Sequence, residues 1–196
     1  MKAPFFKRLA AYIIDIIIVS TIVLVICTAL PNKDKENENK LQELSTQLMN
    51  KEIDVNKYMN EYQDLIYSNN KNEIIELTIN LVITIAYFVV FQYMNKGQTI
   101  GKKLFKIKVI DNDTKKEVSI IKGLLRSILV FNIISSTVSV SLINILSKKA
   151  YMSTYLTINE IETIFIIVTA ILILYRKDGR GLHDMMANTM VITEER

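Results

Sequence analysis

Four long apolar blocks, roughly 9–30, 74–94, 123–146 and 158–175, alternate with strongly polar segments along this chain. A run of about 20 apolar residues is long enough to cross a bilayer as a helix. The blocks are apolar nearly all round, whereas a helix of a soluble bundle keeps a polar face. The pattern therefore predicts an all-α membrane protein with four transmembrane helices. A cleaved leader is disfavoured for the first block. It carries Asp15 and ends in Cys27-Thr28-Ala29-Leu30 without a small-residue cleavage pattern.

The intervening segments have different characters. In 31–73, Leu41, Leu44 and Leu48 recur at helical spacing, and so do Val55, Tyr58, Tyr62 and Leu65. This predicts a helical polar loop with Asp54 as the cap of its second helix. In 95–122, Phe105-Lys106-Ile107-Lys108-Val109-Ile110 alternates apolar and basic residues before Asp111-Asn112-Asp113, a strand-and-turn signal. Met190-Val191-Ile192 in the tail 176–196 is a second β-type run, so a small cytoplasmic β-hairpin is expected. The alternative for Gly101 to Val109 is an interfacial basic helix. Residues 147–157 form a short connection between the third and fourth blocks. No internal repeat is visible, which argues against an inverted-repeat transporter in one copy.

Charge sets the expected orientation. Short cytoplasmic loops carry excess Lys and Arg. The N-terminus has Lys2, Lys7 and Arg8, residues 95–120 have seven Lys against two Asp and one Glu, and the tail opens with Arg176, Lys177 and Arg180. Residues 31–73 have six Lys but nine acidic residues. The reading is a multi-pass protein of the cell membrane with both termini cytoplasmic and 31–73 extracytoplasmic. The partners expected are the lipid bilayer, anionic lipid at the cytoplasmic face, and a second copy or another membrane protein. Nothing points to nucleic acid.

Ionisable groups inside apolar runs are the candidate chemistry. Such a group costs roughly 2.5–3.5 kcal/mol on insertion scales, so it faces the protein interior and has a partner. Asp15 is the clearest case, with Arg126 and Arg180 as the expected cations. Arg8, Tyr12, Asp15 and Val19 share one helix face. So do Glu76, Asn80, Thr84 and Tyr87, then Arg126, Thr137 and Asn144, and then Glu162 and Thr169. Two readings of these stripes stay open, structural ion pairing and a proton or ion pathway. Asp184, after the turn Asp178-Gly179-Arg180-Gly181, is expected to fold back and meet Arg8.

Other chemistries are excluded or weak. Gly97-Gln98-Thr99-Ile100-Gly101-Lys102-Lys103 is one residue short of a phosphate loop and lacks the Ser or Thr after Lys. His183 is the single His and Cys27 the single Cys, which leaves no metal set and no intrachain disulfide. No nucleophile–base pair is visible, so neither an enzyme nor a cofactor is expected.

Three motifs taken together carry a resemblance. Arg8-Leu9-Ala10-Ala11-Tyr12-Ile13-Ile14-Asp15, Gly97-Gln98-Thr99-Ile100-Gly101-Lys102, and Arg180-Gly181-Leu182-His183-Asp184 with Thr189 and Val191 resemble the RDD membrane-protein family. The family's arginine and two aspartates fall on Arg8, Asp15 and Asp184. Gly97, Thr99, Gly101, Lys102 and His183 are its further motif residues here. The resemblance covers the first span and about 92–196, and not the loop 31–73. The chain departs from the pattern at Asp111-Asn112-Asp113 and at Asn188, where Asn tolerates the left-handed turn that Gly would make. The resemblance implies an integral membrane protein, with some members linked to ion or proton-coupled transport and others to regulating membrane partners. The expected function is accordingly transport-related, as ion or proton-linked antiport using Arg8, Asp15, Arg126, Arg180 and Asp184. The alternative is a non-catalytic accessory protein that binds another membrane protein.

Overall fold

The structure is a computed structural model that describes residues 1–30 and 36–194. Pro4, with its fixed φ, opens α1 (Phe5–Cys27). Two amphipathic helices follow, α2 (Glu36–Met49) and α3 (Val55–Asn72), and pack against each other. Asp54 caps α3 by accepting the Lys57 backbone N–H at 2.7 Å. Next, α4 (Ile74–Ile85), a π-helical segment (Ala86–Phe91) and α5 (Gln92–Met94) run on as one helix, Ile74–Met94. The π-helical turn carries three successive buried residues, Tyr87, Phe88 and Val89.

A short helix α6 (Ile100–Leu104) leads into β1 (Ile107–Asp111). Gly97 lies at φ +88, and a Cβ there would sit 2.2 Å from the Val109 carbonyl oxygen, so only glycine lets the loop lie on the strand. After β1 come α7 (Ile120–Ser127), α8 (Ile133–Leu142), α9 (Lys148–Tyr175), α10 (Leu182–Met186) and β2 (Thr189–Thr193). The strands pair antiparallel in one register, from Ile107 opposite Thr193 to Asp111 opposite Thr189. The N-terminus extends this sheet, with the Ala3 N–H donating to the Val191 carbonyl at 3.0 Å. In place of the expected hairpin, the two strands form a sheet across about eighty residues of intervening sequence, and the interfacial-helix alternative is confined to the five residues of α6. Asn188 makes the left-handed turn before β2 at φ 49.

Among the described residues three helices are long and apolar enough to cross a membrane: Phe5–Cys27, Ile74–Met94 and Lys148–Tyr175. Two expected boundaries differ. The connection at 147–157 is already helical from Lys148, capped by Ser147. The block 123–146 is not one helix, since it breaks between α7 and α8 at residues 128–132, where Asn132 takes φ 52. Hydropathy averages over that break, because the turn itself is apolar. The break also removes the expected common face of Arg126, Thr137 and Asn144, and the last two are exposed.

Packing divides into three apolar clusters along the bundle. Ala3, Ala11, Ile107, Val109, Val118 and Val191 bind α1 to the sheet. Val19, Tyr87 and Phe88 hold the middle. Ile143, Tyr151 and Met152 close the far end, where Asn70 on α3 donates to the Tyr151 hydroxyl at 2.9 Å. Ile17, Leu24, Val82, Ile164, Ile167 and Leu174 point outward, as a lipid-facing surface requires.

The left-handed Asn132 is a test of the broken segment. Asn132→Val should destabilise the protein by roughly 1–2 kcal/mol, because a branched side chain is strained there, while Asn132→Gly should be near neutral. Thermal unfolding of the detergent-solubilised variants checks this, and equal stability of Val and Gly would contradict the turn.

Candidate functional site

At the sheet end of the bundle, two buried carboxylates are held in different ways. Asp184, fully buried near the start of α10, lies between two guanidiniums. Arg126 Nη1 donates to its Oδ1 at 2.9 Å, and Arg8 Nη1 donates to its Oδ2 at 3.2 Å. The Thr189 hydroxyl, at 3.2 Å, and the Gly181 backbone N–H, at 3.4 Å, complete its donors. Each arginine is also fixed elsewhere. Arg8 Nε reaches the Ala3 carbonyl at 3.2 Å and its Nη2 the Val191 carbonyl at 3.1 Å, while Arg126 Nη1 reaches Thr189 Oγ1 at 3.1 Å. One carboxylate therefore joins α1, α7, α10 and β2. Arg8 and Asp184 are 176 residues apart, and the fold-back expected from the glycine-rich turn places them in contact.

Asp15 has no cation within ion-pair distance among the described residues, which corrects the expected pairing with Arg126 or Arg180. Arg126 is committed to Asp184. Arg180 lies outside the cluster, with Nε 3.3 Å from Asp178 and Nη1 3.5 Å from the Asn188 side chain. Asp15 accepts hydrogen bonds instead. The Tyr87 hydroxyl donates to Oδ1 at 2.7 Å, the Gly101 backbone N–H donates to Oδ1 at 2.8 Å, and the Thr99 hydroxyl donates to Oδ2 at 2.5 Å. The motif from Gly97 to Lys102 is thus a cradle for Asp15. Thr99 also caps α6, accepting from the Lys102 backbone N–H. Gly101 is required for close approach, since a Cβ there would fall 2.3 Å from the Ala11 carbonyl oxygen and 2.9 Å from the Asp15 carboxylate.

Lys102 and His183 complete the cluster. The Lys102 ammonium donates to the Gln92 side-chain oxygen, a contact with no signal in the sequence. Burial lowers its pKa to about 7, with Arg126 pushing the same way and Asp15 and Asp184 opposing. His183 Nε2 is 3.5 Å from Asp184 Oδ1, and burial lowers the imidazole to about 4. Burial opposes the charge on Asp184, yet His183, Arg126 and Arg8 hold its carboxyl below the usual carboxylate range. A cavity of about 180 Å³ touches Arg8, Asp15, Lys102, Arg126 and His183, with Leu9, Ala170 and Ile173 among its apolar walls.

Among the described residues no group of three or more His, Cys, Asp or Glu could hold a metal ion. The RDD family model matches residues 2–188, nearly the whole chain, and the protein belongs to the RDD family. The match includes the loop 31–73, which the three motifs did not cover. No curated protein and no solved structure matches the chain.

Two outcomes follow from the cluster. Asp184→Asn should cost about 3–5 kcal/mol, because it leaves two guanidiniums short of their counter-charge in a buried site. A double-mutant cycle on Arg8→Ala and Asp184→Ala should show coupling well above the surface-pair range of about 0–1 kcal/mol. Additive effects would mean the contact carries no energy.

A third outcome concerns pH. His183 titrates at about 4 in the folded chain, against roughly 6.5 unfolded. Between those values the unfolded chain binds a proton that the folded chain refuses, so stability is full above the window and falls as pH drops through it. His183→Gln should flatten the unfolding midpoint across this range, and an unchanged slope would contradict the assignment.

Proposed function

We propose that this RDD-family protein is a non-enzymatic transporter of the cell membrane, carrying out ion or proton-linked antiport, with both termini cytoplasmic. The observation that carries the reading is the collection of Arg8, Asp15, Lys102, Arg126 and His183 around one cavity at the end of an otherwise apolar bundle. Ionisable groups in such a place are expensive, and a path for charge is a reason to keep them. Lys102, with its pKa near 7, is the group suited to gain and lose a proton under working conditions. Asp15, held by donors that are all neutral, is the carboxylate free to meet an incoming cation.

The basic end supports the orientation. Lys96, Lys103, Lys108, Lys115 and Lys116, against Glu117 and Glu194, line a concavity of about 440 Å³ beside the sheet. Exposed Met94 is also in its wall, an arrangement suited to an anionic headgroup beside an apolar contact. The accessory reading has its own support. The α2–α3 hairpin exposes Met49, Val55 and Met59 on an otherwise polar element, a surface that a membrane partner could cover.

Purified protein in sealed liposomes separates the two readings. Transport predicts cation flux driven by a pH gradient, reduced at least tenfold by Asp15→Asn and shifted in pH dependence by Lys102→Met. Absence of flux with folded protein would leave the accessory reading. Orientation is checked with single cysteines at Asn39 and Asn112 in a chain lacking Cys27. An impermeant reagent on intact cells should label the first and not the second, and the reverse pattern would overturn the proposed topology.

A further inference from the structure

The cavity beside the charge cluster is mostly apolar, and it lies between two helices. α1 packs on α4 and α6, and α9 packs on α8 and α10. The cavity occupies the gap between α1 and α9, with Phe5, Leu9 and Tyr12 on one side and Ile166, Ala170 and Ile173 on the other. Their spacing places each set on one face of its helix. Leu9 is 40% exposed and Tyr12 37%, so this wall runs out to the lipid-facing surface.

Arg126 stands at the charged end of the gap. Its Nη1 serves Asp184 and Thr189. Its Nε and Nη2 have no hydrogen-bond partner among the described residues. Neither is sealed off by the packing, whereas the unpartnered Thr169 Oγ1 and His183 Nδ1 are. Nε and Nη2 form the side edge of the guanidinium, two parallel donors that match the fork of a carboxylate. The local charge favours the same ligand. Arg8 and Arg126 both address the single carboxylate of Asp184, at 3.2 and 2.9 Å, and Lys102 lies in the cavity wall. Asp15, also in the wall, opposes an anion, but its oxygens are turned to Tyr87, Gly101 and Thr99.

Size narrows the ligand further. An apolar cavity of about 150 Å³ takes a benzene ring. By that measure the gap, at about 180 Å³, takes a carboxylate and about four carbons of a chain. The rest of a longer chain would lie along α1 and α9 in the lipid. A phospholipid head with two chains is too large, and a small anion would give up its water without filling the apolar walls. We propose that the gap between α1 and α9 is a binding site for a long-chain carboxylate, a free fatty acid entering sideways from the bilayer, with its head on the Nε–Nη2 edge of Arg126. The site shares its cavity with the transport reading but does not rest on it, since it requires only that the helices lie in a membrane.

A palmitate analogue with a photoreactive diazirine on its chain, added to the full chain in nanodiscs of neutral phospholipid, tests the site. The expected result is saturable labelling of the facing residues of α1 and α9, cut at least tenfold by excess palmitate and left intact by hexadecanol, which has the chain without the carboxylate. Ala170→Phe fills the gap and alters no charged group. Arg126→Lys keeps a positive charge beside Asp184 and loses the fork. Each should cut saturable labelling at least tenfold, while Arg180→Gln, outside the cluster, should leave it unchanged. Should Arg126→Lys fail to fold, Ala170→Phe and the hexadecanol comparison carry the test. Labelling spread over outward-facing residues such as Ile17 and Leu174, equal labelling of a folded Ala170→Phe variant, or competition by hexadecanol as strong as by palmitate overturns the site. Saturable labelling without cation flux in liposomes overturns the transport reading and leaves the site standing. Flux without saturable labelling does the opposite.

Discussion

A single buried carboxylate decides how this chain closes. Asp184 has no access to solvent and lies within 3.2 Å of both Arg8 and Arg126. Removing an ion from water without partners is costly enough that the segment carrying it could not dock. The docking of α10 therefore depends on α1 and α7 being in place. Arg8 in turn holds the Ala3 and Val191 carbonyls, so the sheet edge and the N-terminal arm are bound to the same charge. Buried ion pairs are weak contributors to net stability and severe penalties when broken. The cluster thus acts as a requirement for correct assembly more than as a source of folding energy.

The distance from sequence to site was short for some groups and long for others. Asp15 inside an apolar run and the glycine-rich turn before Asp184 announce themselves, because both violate the composition of their surroundings. The strand at β1 was legible from the alternation of apolar residues with Lys106 and Lys108, although it begins at Ile107 and not at Phe105. The partners of Asp15 were not legible as a set. Two are hydroxyls on distant elements, and the third is the backbone N–H of Gly101, which any residue but proline supplies. What the sequence does carry is the glycine itself, and its meaning emerges only when α6 is seen against Ala11.

The broken third block failed to register for a related reason. Hydropathy sums side chains and is blind to backbone direction. Val130 and Phe131 are as apolar in a turn as in a helix. The interruption is stabilised from outside, by Glu162 of α9 receiving the N–H groups that begin α8. A helix N-terminus needs acceptors for its first donors. Here they come from another helix, so no local capping residue marks the site. Asn132, with its tolerance of the left-handed region, is the one local trace.

The charge balance of the cluster gives its chemistry a direction. Arg8 and Arg126 remain cationic under any working condition, and Asp184 stays ionised because they surround it. Arg8 and Arg126 set two positive charges beside the Asp184 carboxylate, and a proton on Lys102 adds another in a buried site, so burial and Arg126 together lower its pKa to about 7. Lys102 lies next in sequence to Gly101, whose N–H fixes Asp15, and its ammonium is held by Gln92 at the end of the helix that carries Tyr87. A change of charge on Lys102 therefore acts on both sides of the Asp15 cradle at once.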